Sequence, residues 1–227
     1  MRSINNKLGI IIFAFFLIIL LVGWLPQENK TSKDDFPILK GPYLGQQPPG
    51  LTPEIFAPEI ISTGLYERDV AISPDGTEFY YGLMFSNYAT IMVTKLENGQ
   101  WTEPYVVSFA SGMKYFYFEP CITPDGKKFL FLSTRPPKGQ EPKPGWGHQN
   151  IWVVDRFEDG SWGEPYDIGS SINTEGGEYF PSVTNDGTLY FTRQAKGERK
   201  SYIYRSRLIN GKYTEAEKLP DVINNEG

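Results

Sequence analysis

Three tetrads constrain this chain more than anything else in it: Ser73-Pro74-Asp75-Gly76, Thr123-Pro124-Asp125-Gly126 and Thr184-Asn185-Asp186-Gly187. Each follows a short apolar run and precedes an aromatic-rich one. Asp75 and Asp125 lie 50 residues apart, Asp125 and Asp186 61. A second marker keeps the same phase, since Asn98-Gly99, Asp159-Gly160 and Asn210-Gly211 are separated by 61 and 51 residues. The two spacings swap because one loop of the middle unit is about ten residues longer, as insertions in repeats map to loops. The tetrads themselves are turn chemistry. Proline presets φ at the second turn position, Asp tolerates the bridge or left-handed region, and Gly takes φ > 0.

Around each tetrad the unit divides into four strand-like pieces. The first pieces, Asp69–Ser73, Glu119–Thr123 and Phe180–Thr184, carry Pro120 and Pro181, which cannot donate to a ladder, so they are predicted as inner edge strands. The small residues Ala71, Cys121 and Ser182 are expected where units converge on an axis, and Ile72, Ile122 and Val183 between units. The second pieces, Glu78–Met84, Lys128–Thr134 and Thr188–Arg193, are dense in Phe, Tyr and Leu and read as sandwiched strands. The third pieces, Thr90–Leu96, Asn150–Phe157 and Tyr202–Leu208, run into the Asn-Gly or Asp-Gly hairpin signal. The fourth open on Trp101, Trp162 and Tyr213. A period near 50 with four short strands is the signature of a propeller. The expected fold is therefore all-β: a propeller with about three four-stranded blades, 63–115, 116–176 and 177–227, preceded by one N-terminal apolar helix.

The sequence of apolar strand, Ser-Pro-Asp-Gly tetrad, aromatic strand and hairpin resembles the TolB-type, WD40-like β-propeller repeats, over about residues 63 to 227. That resemblance speaks for the fold; the family includes interaction platforms, enzyme-associated propellers and many proteins of unknown role, so it does not choose a function. Closed propellers have about four to eight blades. The stretch Thr52–Pro58, within a strand expected at 52–62, looks like a fourth strand with no strands before it. Ile223-Asn224-Asn225-Glu226-Gly227 repeats Ile172-Asn173-Thr174-Glu175-Gly176, which leads into the third unit. Both observations lead us to expect further blades and a chain that is a piece of a longer protein.

At the other end, Arg2 and Lys7 precede an apolar run from Leu8 to Leu25. As a helix at 1.5 Å per residue it spans about 27 Å, enough for a bilayer core. Residues 1–25 are expected to be a signal anchor, which makes the membrane a partner through Leu8–Leu25 and leaves the rest extracytoplasmic, in the periplasm or at the cell surface. Cleavage of the same segment, giving a secreted protein, is the alternative. Residues 26–50, with five prolines and three glycines, read as a linker. The net charge of −5 argues against a nucleic-acid partner. The single cysteine, Cys121, rules out an intramolecular disulfide and a cysteine zinc site.

No catalytic set stands out. Neither a Gly-x-Ser-x-Gly elbow nor a phosphate-cradling glycine loop is present, and the one histidine, His148, lies in the long loop 136–149. In a propeller the polar residues of the first strands face the axis, which makes Arg68, Asp69, Glu119 and Glu178 candidate ligand-binding residues. Arg135, Trp146 and His148 are candidates for a contact patch on the long loop. The Asp boxes of sialidase-like propellers separate Asp from Gly, whereas here they are adjacent. Two functions stay open: a binding or scaffold module for a protein or glycan partner, with no cofactor, or a glycan or peptide hydrolase of propeller type whose catalytic part lies largely in further blades.

Overall fold

Each Asp-Gly tetrad closes a hairpin in the same way. Gly76, Gly126 and Gly187 donate their N–H to the carbonyls of Ser73, Thr123 and Thr184 at 2.8, 2.8 and 2.9 Å, with φ of 72°, 70° and 82°. The Asp carboxylate accepts the hydroxyl two residues before it and the backbone N–H two residues after it (Ser73 and Thr77 on Asp75; Thr123 and Lys127 on Asp125; Thr184 and Thr188 on Asp186). These bonds, led by that of the preceding hydroxyl, hold all three carboxyls below the usual Asp range. The acids are committed to turns.

The computed structural model describes residues 36–225, so the apolar run Leu8–Leu25 lies outside the described residues. Among those described, no helix is long and apolar enough to cross a membrane. The first blade comprises β1 (Tyr66–Ile72), β2 (Glu78–Phe85), β3 (Tyr88–Glu97), the short β4 (Gln100–Trp101) and the outer strand β5 (Tyr105–Val106). The second comprises β6 (Tyr117–Ile122), β7 (Lys128–Ser133), β8 (Asn150–Asp155) and β9 (Tyr166–Asp167). The third contains β10 (Gly177–Val183), β11 (Leu189–Gln194), β12 (Tyr202–Ser206) and β15 (Glu217–Lys218), with a small ribbon of β13 (Leu208–Ile209) and β14 (Lys212–Tyr213) at its hairpin. Within every blade the strands pair antiparallel in sequence order, except that β5 passes β4 to pair with β3 and β15 passes the ribbon to pair with β12. Three consecutive up-and-down sheets, one of five strands and two of four, are three propeller blades.

The fourth strands start later than the sequence predicts. Trp101 and Trp162 sit at the hairpin, 5% and 9% exposed, and the outer strands begin only at Tyr105, Tyr166 and Glu217. The small residues also differ from expectation. Ala71 and Cys121 pack between blades rather than toward an axis, Ala71 with Phe129 and Phe131 and Cys121 with Leu189 and Phe191. Both faces of β6 meet neighbours, Ile122 in one cluster and Cys121 in another, whereas β1 is covered on one face, Val70 and Ile72 being 53% and 49% exposed.

The core therefore lies between blades. Tyr80 meets Phe129 edge-on at 4.7 Å, and its hydroxyl accepts the Trp162 indole N–H at 3.0 Å and donates to Glu78 at 2.9 Å. Glu78 is 4% exposed and neutralised by Lys95 at 2.8 Å and by Arg156 of the second blade at 2.6 Å. A buried carboxylate needs such pairing. Phe109, on the connection between these blades, stacks on Phe131 at 5.0 Å and 25°. On the opposite face of the first blade, residues 39–61 take the part of a neighbour. Leu39, Leu44, Phe56 and Ile61 cluster on Phe79, Tyr81 and Trp101, and the Trp101 indole N–H donates to Gly41 O at 2.7 Å. The described part of the Pro/Gly-rich stretch is thus docked on the blade by apolar burial, not extended as a spacer.

The connections repeat as well. Asn173 holds β8 with its side-chain amide, accepting Ile151 N–H and donating to Ile151 O, both at 2.9 Å. Asn224 does the same to Ile203 of β12, at 2.7 and 3.0 Å.

Candidate functional site

The first strand of every blade breaks its ladder at the same place. Register shifts fall between Arg68 and Val70, Phe118 and Cys121, and Tyr179 and Ser182. The residue in each bulge is in the left-handed region although none is glycine: Asp69 at φ 56°, Glu119 at 55° and Phe180 at 53°. All three stand six residues before the tetrad Asp. Pro120 and Pro181 follow the bulged residues, where a missing N–H costs no ladder bond. Side chains held this way, in a sparsely populated conformation, concentrate at binding and catalytic sites.

The bulges bring three blades to one cluster. The Arg68 guanidinium pairs with Asp69 at 2.7 Å and lies over the rings of Phe118, 5.3 Å away, and Phe180, 5.4 Å away. One residue from the second blade and one from the third thus flank a cation from the first. Glu119 crosses the next junction, accepting the Phe180 N–H at 2.7 Å. Glu119 is only 8% exposed, and burial pushes its carboxyl up to about 7; the Phe180 N–H and Arg68 oppose the rise and Asp69 adds to it. Phe180 and Tyr66, by contrast, are 44% and 54% exposed. The cluster offers solvent a cation between aromatic faces, with a carboxyl beneath that changes charge near neutrality.

Of the residues singled out in the sequence, Arg68, Asp69 and Glu119 meet here. Trp146 joins them at one remove, its ring 4.8 Å from Phe116 and 6.4 Å from Phe118. Three others lie elsewhere. Glu178 is fully buried, pairs with Arg193 at 3.0 Å and accepts Thr174 N–H and hydroxyl at 3.0 and 2.6 Å, tying the third blade to its own connection. Arg135 stacks over Tyr115 and Trp152 at 5.8 and 5.4 Å. His148 is 5% exposed, and its Nε2–H donates to Glu141 O at 2.9 Å, so the imidazole closes the long loop and is not free for chemistry. Phe118 and Phe180 were not picked out as site residues. The signal was available, since the positions seven and six before each tetrad Asp read Arg-Asp, Phe-Glu and Tyr-Phe while their surroundings repeat. Among the described residues no group of three or more His, Cys, Asp or Glu could hold a metal ion.

Separate up-and-down antiparallel sheets, packed face to face, define the architecture. The fold is that of a β-propeller. Solved structures similar to this propeller include a protein assigned as TolB from Agrobacterium tumefaciens (21% identity, TM-score 0.44, covering 68% of this chain and 48% of that one). Others are TolB from Acinetobacter baumannii (20%, 0.43, 66% and 32%) and a prolyl endopeptidase (16%, 0.44, 66% and 19%). The propeller of this chain thus spans about half the length of such proteins, or less. No protein-family model matches the sequence, and no curated protein matches it significantly.

Proposed function

We propose that this chain is an exported binding module, held at the membrane by Leu8–Leu25 or released when that segment is cleaved, which engages a partner at the cluster of Arg68, Asp69, Glu119 and Phe180. The observation that carries the reading is the convergence of three bulged inner strands on one half-exposed, mixed aromatic and charged patch. Rigid strands hold its residues, and a strained backbone at every bulge favours a placed side chain over a merely tolerated one. Exposed aromatics beside an arginine are the residues that dominate binding surfaces. The test is capture of membrane-extract partners by the full chain, compared with Phe180→Ala and Arg68→Ala. Partners enriched over a scrambled-surface control and lost in both variants are expected. Equal capture by the variants, or no enrichment, refutes the site.

A second reading rests on Glu119. A buried carboxyl raised toward neutrality beside an ion-paired Asp has the acid–base character of a hydrolase. It predicts hydrolysis of a glycan or peptide substrate that falls at least about a hundredfold in Glu119→Gln.

A further inference from the structure

A groove of about 540 Å³ opens between the β2–β3 hairpin of the first blade and the long loop of the second, within the range of small-molecule sites. Its walls are Trp146, Phe116, Tyr88 and Met84, and its polar rim is Ser86 and Asn87. We infer that this groove binds a neutral oligosaccharide, stacked on the Trp146 indole and hydrogen-bonded by Asn87 and Ser86.

The chemistry of the lining excludes other classes. No Lys, Arg, Asp or Glu lines the groove, so a phosphate, carboxylate or ammonium group would enter it without a counter-charge, at a desolvation cost nothing there offsets. A wholly apolar ligand would fit the rings but strand the polar rim. Among the described residues the Trp146 indole N–H and the Ser86 and Asn87 side chains have no hydrogen-bond partner. A pyranose satisfies both requirements, because one face presents C–H groups to an indole while its equatorial hydroxyls point outward to amides and indole N–H groups. Trp146 is 40% exposed, leaving part of its ring free.

The groove is also set before any ligand arrives. Trp146 is backed by Phe116 at 4.8 Å. Its loop is closed by the His148–Glu141 bond and by Gly147 N–H donating to Pro144 O at 3.1 Å. The Tyr88 hydroxyl donates to Gly112 O at 2.6 Å, which fixes the opposite wall. Preorganisation of this kind lowers the ordering cost of binding. It also gives the ten-residue insertion of the middle blade a role beyond decoration.

The test titrates the full chain with cellotetraose, maltotetraose, xylotetraose and chitotetraose, following tryptophan fluorescence and saturation-transfer NMR. At least one is expected to bind, with an affinity that falls about tenfold or more in Trp146→Ala, is partly kept in Trp146→Phe, and weakens about threefold in Asn87→Ala. Phe180→Ala is expected to leave it unchanged, which separates this groove from the inner-strand cluster. If Trp146→Ala does not fold, Asn87→Ala and Ser86→Ala at the hairpin tip decide, because neither side chain supports the core. Failure of all four sugars to bind at millimolar concentration, binding indifferent to these variants, or binding only of a charged analogue such as tetragalacturonate overturns the inference.

Discussion

Replacing Glu119 with Gln gives the sharpest check on the inner-strand cluster, because it removes a titration without removing an acceptor. The glutamine amide oxygen can still take the Phe180 N–H that Glu119 accepts at 2.7 Å. The carboxyl is raised from an ordinary 4.5 to about 7, chiefly by burial. At about 1.36 kcal/mol per unit, that displacement corresponds to roughly 3 kcal/mol. The sign follows from linkage. The folded state prefers the protonated acid, so its contribution is fully present below the unfolded value near 4.5, declines as pH rises, and is lost through about 7. Wild-type protein at about pH 8 must carry a buried carboxylate beside Asp69, whereas the Gln variant carries none. Chemical denaturation of both proteins across this range is expected to show near-equal stability at about pH 4.5 and a variant more stable by roughly 2–3 kcal/mol at about pH 8. Titrations of groups not coupled to Glu119 cancel in the difference, and the coupled ones are Asp69 and Arg68. Parallel profiles for the two proteins would refute the buried, raised carboxyl and with it the acid–base reading of the cluster.

The repeated asparagines offer an internal comparison. Asn173→Ala leaves buried Ile151 N–H and C=O groups without partners and is expected to cost about 2–4 kcal/mol, at about 1–3 kcal/mol per stranded group. Asn224→Ala, with the same bonds in an exposed setting, is expected to cost under about 1 kcal/mol by urea denaturation because water replaces them. Gly126→Ala puts its Cβ only 3.7 Å from Pro74 Cδ, an ordinary contact, so its expected cost of about 1 kcal/mol comes from φ alone and should be seen as a lowered urea midpoint.

The blades were legible because their signals are local. A tetrad in which Asp caps the hydroxyl and N–H around it needs nothing distant, so the hairpins follow from four residues of sequence. The prolines of the inner strands pointed correctly to sheet edges, since β6 and β10 each end their sheet. What they could not show was left-handed backbone at Asp69, Glu119 and Phe180, since only the Asp of the three is a residue that tolerates that conformation readily and Glu and Phe do not mark it. Long-range pairing set the remaining limits. Glu178 and Glu119 look alike in sequence as acids at the start of an inner strand, yet Arg193 on the neighbouring strand neutralises one, while the other meets a backbone amide from the next blade. His148 reads in the sequence as a contact residue on the long loop, whereas its bond to Glu141 O holds it 5% exposed. Trp146 was read as part of a contact patch with Arg135 and His148; the structure instead gives it Phe116 and Phe118 as neighbours.

The docking of residues 39–61 on the first blade has a mechanical side. A pull applied at Ile38 does not reach the inner strands first. It meets Trp101, whose backbone N–H holds Leu39 O at 2.9 Å and whose indole holds Gly41 O at 2.7 Å, with Leu39 and Leu44 seated in the same apolar cluster. Load from that side therefore enters the propeller at the outer hairpin of the first blade and is borne in shear by a tryptophan. Arg68 lies at the other edge of the blade, on β1, away from that hairpin.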